Sequence, residues 1–481
     1  MTQNNLRPQY IVRSAIMTAE RLGDPDKGIP LGEMEFDLTT NIAELVIFES
    51  LDKPYLTGSV VISDADGLFS GIQFQGTERI TFTIGTADTD NTEVIISKRF
   101  ILSGINKQKK SNTSGNSSVY AFTLIDEHGF LGRVSKISKS YNGSLETIIK
   151  RILQNELGRT VDIAYTGAKK GDEEFSAQQD ITCIIPNLTP VDAIDWLCRR
   201  ITTENGSPYF VYATLQIPDL KDEGSTNEED IKQGTVVRLG NLDTMLTQSA
   251  INKIPYRYNP NTTGKNTELS QEEQSFSIKN IETGISSNTL VLLELGAISS
   301  QYSNTNLGTG ELFTTKHTLK EQLRTLDSKS IIHSEGEKNL SQNVYDPFFK
   351  LKDVSIDDYN AKKYHTITST GTYGNLKSYH DETDENKFKL KVASTAMKNV
   401  LHKNPLSIII EGAAFLTARG TVGDIINIDV IGDNIDASQE GSRISDVRYS
   451  GNHLVYNIKH VFTSDNHNIT MNVCKLESEA Q

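Results

Sequence analysis

The sequence predicts a β-rich α+β fold in which two similar antiparallel β-barrel domains are separated by an α/β region. Residues 1–135 and 389–481 consist of short runs that alternate apolar and polar residues between polar turns, as half-buried strands of a sandwich or barrel do. Between these ends, two apolar stripes recur at helical spacing. One pattern, an acid followed by alternating apolar residues and a glycine, occurs once in each β-rich end.

In chain order, the strands expected in the first barrel (1–135) are Tyr10–Ile16, Glu35–Leu38, Glu44–Phe48, Gly58–Ser63, Arg79–Thr86, Glu93–Gly104 and Val119–Ile125. The α/β insert (136–215) holds two amphipathic helices. In the first, Leu145, Ile148, Ile149, Ile152 and Leu153 form one stripe, with Ser144 placed to cap the start and Gly158 the end. In the second, Thr189 is the N-cap, Pro190 fits the first turn and Asp192 meets the positive end of the dipole. Val191, Ile194, Leu197, Cys198 and Ile201 then face inward.

A mixed region (216–388) with polar loops is expected to complete part of the second barrel. Its acidic and polar stretches at 218–234 and 259–274 bury too little to order themselves. "NTLVLLELG" reads as a strand, and short helices are expected near Thr318–Leu326 and over Phe388–His402. The second barrel (389–481) takes strands from Leu406–Gly412, Val422–Gly432, His453–Phe462 and Asn468–Glu477, with Ile469, Met471 and Val473 on one face.

The repeated pattern is "GTERITFTIG" (Gly76–Gly85) against "GDIINIDVIG" (Gly423–Gly432). Glu78, Ile80, Phe82 and Ile84 match Asp424, Ile426, Ile428 and Val430. A Ser-Gly pair follows each, Ser103-Gly104 and Ser450-Gly451. Strand alternation arises easily by chance, so the order and spacing carry the case for duplication.

A chain of 481 residues has length for roughly three domains. No apolar run approaches the roughly 20 residues that span a bilayer, and the first residues lack the apolar core of a secretory signal, so a cytosolic site of synthesis and assembly is expected. The three cysteines form no paired motif and read as buried small hydrophobes. A net charge of −14 disfavours gripping a phosphate backbone, which lysines and arginines must do.

The sequence assigns no catalytic, cofactor-binding or metal-ligating residue. It contains no nucleophile elbow, P-loop or zinc-protease helix motif. His453, His460 and His467 lie seven apart, so in one extended chain successive members point to opposite faces and make poor metal partners. "DTDNTE" (Asp88–Glu93) opens like a calcium loop but lacks the glycine and the final glutamate. "NKQKKSNTSGNSS" (Asn106–Ser118) is a basic tip, read as a solvated loop or as a contact for an acidic partner.

Three stretches resemble the central hub subunit of contractile-tail phage baseplates of the T-even type, and with it the N-terminal hub domains of type VI secretion spike proteins and phage tail protein D. One is the strand running into Asp64, an irregular apolar segment, then Gly76-x-Glu78 and another strand. A second is "LTPVDAIDWLCRRITTENGSPYFVYAT" (Leu188–Thr214), similar to the family's proline-started helix followed by an aromatic strand. The third is "VGDIINIDVIG" with "YSGNHLVYNIKHVFTSDNHNITMNVCKLES" (Tyr449–Ser478).

The resemblance implies a homotrimer in which each chain gives two barrels. Six barrels then form a pseudo-sixfold ring that adapts a hexameric tail tube to a trimeric central spike, with genomic DNA passing through unbound. It implies a virion location, assembly in the host bacterial cytoplasm, a spike on a separate polypeptide, contacts with other baseplate proteins, and no enzymatic activity. Leu68, Phe69, Ile72 and Phe74, an apolar cluster between two strands, are the expected subunit-interface residues. Their alternative role is to close the bottom of their own barrel. Two other classes stay open: a β-rich glycan hydrolase using paired carboxylates, and a module pairing its edge strands with a peptide.

Overall fold

The computed structural model describes residues 10–21, 32–65, 74–86, 96–110, 118–157, 163–165, 181–199, 206–216, 236–246, 248–258, 275–283, 289–296, 298–318, 362–368, 405–435, 449–464 and 466–474, with a few shorter pieces. The expected ends at Gly158, the acidic and polar stretches at 218–234 and 259–274, Asp88–Glu93 and residues 319–326 lie outside them. Of Phe388–His402, the described pieces at 394–395 and 397–398 are helical.

The N-terminal unit contains β1 (Tyr10–Arg21), β2 (Gly32–Asp37), β3 (Ile42–Ser50), β4 (Thr57–Asp64), β5 (Arg79–Thr86), β6 (Ile96–Lys110) and β7 (Ser118–Asp126). Helices α1 (Glu127–Val134), α2 (Leu145–Leu157) and α3 (Pro190–Cys198) follow. The C-terminal unit contains β8 (Tyr256–Tyr258), β9 (Ile278–Thr283), β10 (Pro405–Glu411), α4 (Gly412–Thr417), β11 (Ile425–Ile435), β12 (Arg443–Ser445), β13 (Gly451–Phe462) and β14 (His467–Cys474).

Alternation on these strands sets which face is buried. Ile80, Phe82 and Ile84 on β5 and Ile469, Met471 and Val473 on β14 are all fully buried. The helices form as their caps and stripes predict. Leu145, Ile148, Ile149, Ile152 and Leu153 of α2 are buried, and the Thr147 N–H donates to Ser144 Oγ at 3.2 Å. The Asp192 N–H donates to Thr189 Oγ1 at 3.2 Å, while the Thr189 hydroxyl donates to Asp192 Oδ2 at 2.7 Å. Both helices cover a three-stranded sheet of Tyr209–Thr214, Val236–Asn241 and Ile163–Tyr165.

The main sheet runs β9-β10-β14-β13-β3-β4-β7-β6-β5-β1-β2, with β11 attached to β13 and flanked by β8 and β12. Among the described residues no pairing closes either unit into a barrel. The two units are instead consecutive parts of one sheet. Their internal order is the same: β3-β4-β7-β6-β5 in the first and β9-β10-β14-β13-β11 in the second, antiparallel at every step.

The registers superpose residue by residue. Gly58↔Leu124 corresponds to Leu406↔Val473, and Arg79↔Ile101 to Ile425↔Leu454. Two bulges fall at the same steps, and β6 has one more, between Ile105 and Lys107, that β13 lacks. The register shifts between Ile42 and Glu44 in β3 and between Ile278 and Asn280 in β9, and again between Leu102 and Gly104 in β6 and between Val455 and Asn457 in β13. A bulge re-aims a strand at a fixed point, so shared bulges mark shared architecture more specifically than alternation does.

Two expectations need correction. Ser450-Gly451 is not the counterpart of Ser103-Gly104: register places Tyr456-Asn457 there and sets Gly451 against Lys98, because both pair with equivalent residues of β11 and β5. "NTLVLLELG" is a helix, Thr289–Glu294, rather than a strand. A short continuous apolar run fits either state. Here Gly296, at φ +78°, takes the left-handed position that ends a helix, and its N–H donates to the Leu293 carbonyl.

Replacing Thr189 by Ala should cost about 1 kcal/mol, as loss of an N-cap does. Hydrogen exchange should show faster opening of the first turn of α3, with the strands of the main sheet unchanged.

Candidate functional site at the seam of the two units

The two units meet where β13 pairs antiparallel with β3, from Asn457↔Ser50 to Phe462↔Leu45. This seam buries a polar cluster. Glu49 on β3, His460 on β13 and His467 on β14 are all buried. His460 Nε2 lies 3.0 Å from Glu49 Oε1, and His460 Nδ1 lies 3.3 Å from His467 Nε2. With His460 donating from Nε2 to the carboxylate, its Nδ1 accepts from His467 Nε2–H, so one chain of hydrogen bonds runs from β14 to β3. Phe462 stacks on His467 with ring centroids 4.0 Å apart and planes 4° from parallel.

Burial, followed by the neighbouring His460 and Lys279, holds the His467 imidazole well below its ordinary value. Lys98 of β6 is also buried. Desolvation pushes its amine down to about 8, against the opposing pull of Asp126 and Glu49. Asp126 accepts from the Leu56 and Gly129 N–H groups at 2.6 Å each, which ties β4 to the start of α1. Gly412, the first residue of α4, lies so close to His467 that a Cβ there would sit 2.0 Å from Nδ1.

The parity rule for the histidines fails because a turn intervenes between two of them. His460 and His467 stand on opposite strands of the β13–β14 hairpin, where Phe462 pairs with His467, and so reach the same interior. His453 is buried away from them, its Nδ1 2.9 Å from the Gly451 carbonyl. Among the described residues no group of three His, Cys, Asp or Glu side chains is arranged to hold a metal.

The repeated acids both act on backbone. Glu78 accepts from the N–H groups of Gln75 and Gly76, and Asp424 from the Thr421 N–H at 2.8 Å. Burial raises the Asp424 carboxyl, opposed by Arg238, whose guanidinium lies 3.9 Å away and bonds Thr421 Oγ1 at 2.8 Å. In each unit the acid fixes the turn that launches the strand after it.

The segment before Glu78 packs largely on its own unit. Phe69 is 4 % exposed, with its ring 5.4 Å from Phe74, 5.0 Å from Tyr120 and 6.1 Å from Phe122. Asp64 accepts from the Leu68 and Phe69 N–H groups and folds the segment back. Ile72 and Phe74 are partly buried against the same core, while Leu68 is 36 % exposed. In the second unit the same place is taken by α4, with Phe415 and Leu416 fully buried. A sequence signal for that equivalence exists in Ser59-Val60-Val61-Ile62 against Ser407-Ile408-Ile409-Ile410, whose registers coincide.

A cleft of about 520 Å³ opens between Asp52–Tyr55, α3 and the residues Ser394, Thr395, Lys398 and Leu401. Of its carboxylates, Asp192 accepts from the Thr189 hydroxyl and Asp195 pairs with Arg199 at 2.8 Å. The three cysteines are free and buried, with Cys474 pushed up to about 12 by desolvation.

No protein-family model matches the chain, and no curated protein matches it in sequence. Solved structures are similar in overall path. A tail protein from Neisseria meningitidis is 10% identical, with 97% of each chain covered and a TM-score of 0.46. The 43 kDa tail protein of prophage MuSo2 from Shewanella oneidensis is 9% identical, with 98% of this chain and 99% of that one covered and a TM-score of 0.45. The E. coli c3393 protein, a type VI secretion component, is 9% identical over 92% of this chain and 76% of that one, with a TM-score of 0.39.

Because the folded His467 takes up its proton less readily than the unfolded one, the seam is at full stability above about pH 6.5 and loses it as pH falls toward the lower folded value. His467→Phe keeps the stack on Phe462 and removes the titrating ring. The acid side of its stability-versus-pH curve should be flatter by up to about 1.4 kcal/mol per pH unit, one proton's worth, in a thermal-melt series from pH 8 to 5.

Proposed function

We propose that this chain is a structural hub subunit of a contractile-tail baseplate. In this reading it is a homotrimer whose two repeated units per chain form a pseudo-sixfold ring, joining a hexameric tail tube to a trimeric central spike. The domains take the bounds 1–135, 136–215, 216–388 and 389–481. The ring surrounds part of the DNA path in the virion tail, and the net charge of −14 favours passage of DNA without adhesion. The role is assembly, not catalysis.

One observation carries this reading. Two units with the same strand order, matching registers and two shared bulges follow each other edge to edge in one sheet. A repeat joined head to tail within a chain is the element from which three chains make six equivalent positions, and closed symmetry then satisfies every edge. The sequence resemblance in Leu188–Thr214 and Tyr449–Ser478 supports the same reading.

Leu68, carried on the buried Phe69 with Ile72 and Phe74 beside it, is the apolar residue of this segment that a neighbouring unit would cover.

Negative-stain images of the purified chain should show rings with three-fold symmetry, six lobes and a central hole; compact monomers at every concentration would count against a ring. Leu68→Ser should weaken trimer formation while leaving the melting temperature of the monomer within a few degrees. A parallel fall in both would assign the segment to its own unit alone.

A further inference from the structure

The seam between the units has a missing counterpart. Within the chain, the C-terminal half of β13 pairs with β3. The equivalent of β13 is β6, and the equivalent of β3 is β9. Among the described residues, β6 beyond Leu102 pairs on one side only, with β7, and β9 pairs with β10 alone. Each unit therefore shows one half of a seam that is complete elsewhere in the same molecule.

Exposure follows the same logic. Ile458, inside the complete seam, is 1 % exposed, whereas Ile105, its counterpart on β6, is 45 % exposed. On β9, Glu282 is exposed where its counterpart Val46 on β3 is buried.

We propose that β9 of one copy pairs antiparallel with the second half of β6 of a second copy, in the register of the internal seam. The occupant of this edge is thus a second copy of the chain, and the proposal rests on the hub reading for the number of copies in the ring. The register is counted through β7 and β14, past the extra bulge of β6 between Ile105 and Lys107. Val461↔Val46 and Phe462↔Leu45 become Lys109↔Glu282 and Lys110↔Ile281. The first of these sets a basic position opposite an acidic one, which favours an antiparallel cross-strand pair. The joint is heterologous, so repetition carries each copy to the next until the ring closes.

The test is a disulfide between copies in the full chain. Lys109→Cys combined with Glu282→Cys places thiols on opposed positions, and the native cysteines are buried. Mild oxidation should give covalent dimers and trimers on a non-reducing gel, absent from either single variant and from the off-register pair Lys107→Cys with Glu282→Cys. Trimers by mass photometry without the cross-link would overturn the strand pairing and leave the hub reading standing. Cross-linked chains growing past three would support the pairing and overturn the closed trimer. Monomers alone would overturn both. As a second variant, Lys109→Glu should raise the dissociation concentration about tenfold through like-charge opposition, and adding Glu282→Lys should restore it. Failure of the double exchange to restore assembly would overturn the register.

Discussion

The pairing of β13 with β3 is the interaction on which the architecture depends. It joins strands from opposite ends of the chain, with Glu49 and His460 separated by 411 positions, and turns two repeated units into one continuous sheet. Such a contact is expensive in loop entropy and has to be over-determined once formed. Six ladder positions, the buried Ile458 and Phe462, and the hydrogen-bonded cluster all fall on this one joint. Without it, β3 and β13 would both be open edges rich in apolar side chains, the condition that leads to uncontrolled strand addition.

Stability alone does not explain why the joint contains polar groups. Glu49, His460, His467 and Lys98 are all buried, and apolar residues of the same volume would often hold such a place at least as well. What polar groups add is register. A slip by one residue would turn Glu49 to the opposite face and leave both the carboxylate and His460 without partners inside the protein. The cluster thus penalises wrong pairings more than it favours the right one. The close fit of Gly412 against His467 extends that constraint to α4, so the same imidazole ties the strand joint to the turn preceding β11.

Strands and helices were legible in the sequence wherever a local pattern carries them. Arg79–Thr86 has its expected limits, and the α2 stripe and the Thr189 cap stand as their spacing implies. Glu78 and Asp424 were recognisable as equivalent because each sits at a fixed offset from an alternating strand. The Ser-Gly pairs misled because the connection into β13 is longer than that into β6, so equal spacing from the acid reached different rungs. The pairing across the seam was not legible. Glu49 stands in no motif, His460 lies in the Tyr449–Ser478 stretch with nothing to mark its partner, and the His460–His467 contact depends on a hairpin that a single-strand parity argument does not include. The irregular segment at Leu68–Phe74 and the helix α4 share a location but not a conformation, which hid the repeat where Ser59–Ile62 and Ser407–Ile410 would have shown it.

The lysines of β6 illustrate how one residue type fits two opposite designs. Lysine on an edge strand usually keeps other chains away, because pairing would desolvate its charge. Charge alone would therefore describe an edge kept open. Yet β6 retains the bulge after Leu102 that β13 has after Val455, and β9 retains the bulge of β3. The open edges carry charged residue types at Lys109 and Glu282 where the seam has Val461 and Val46, and β6 adds a bulge between Ile105 and Lys107. Charge placed on a preserved joint discourages like strands from meeting, since β6 opposite β6 sets lysine against lysine, and still admits the one strand that brings Glu282 to the matching rung.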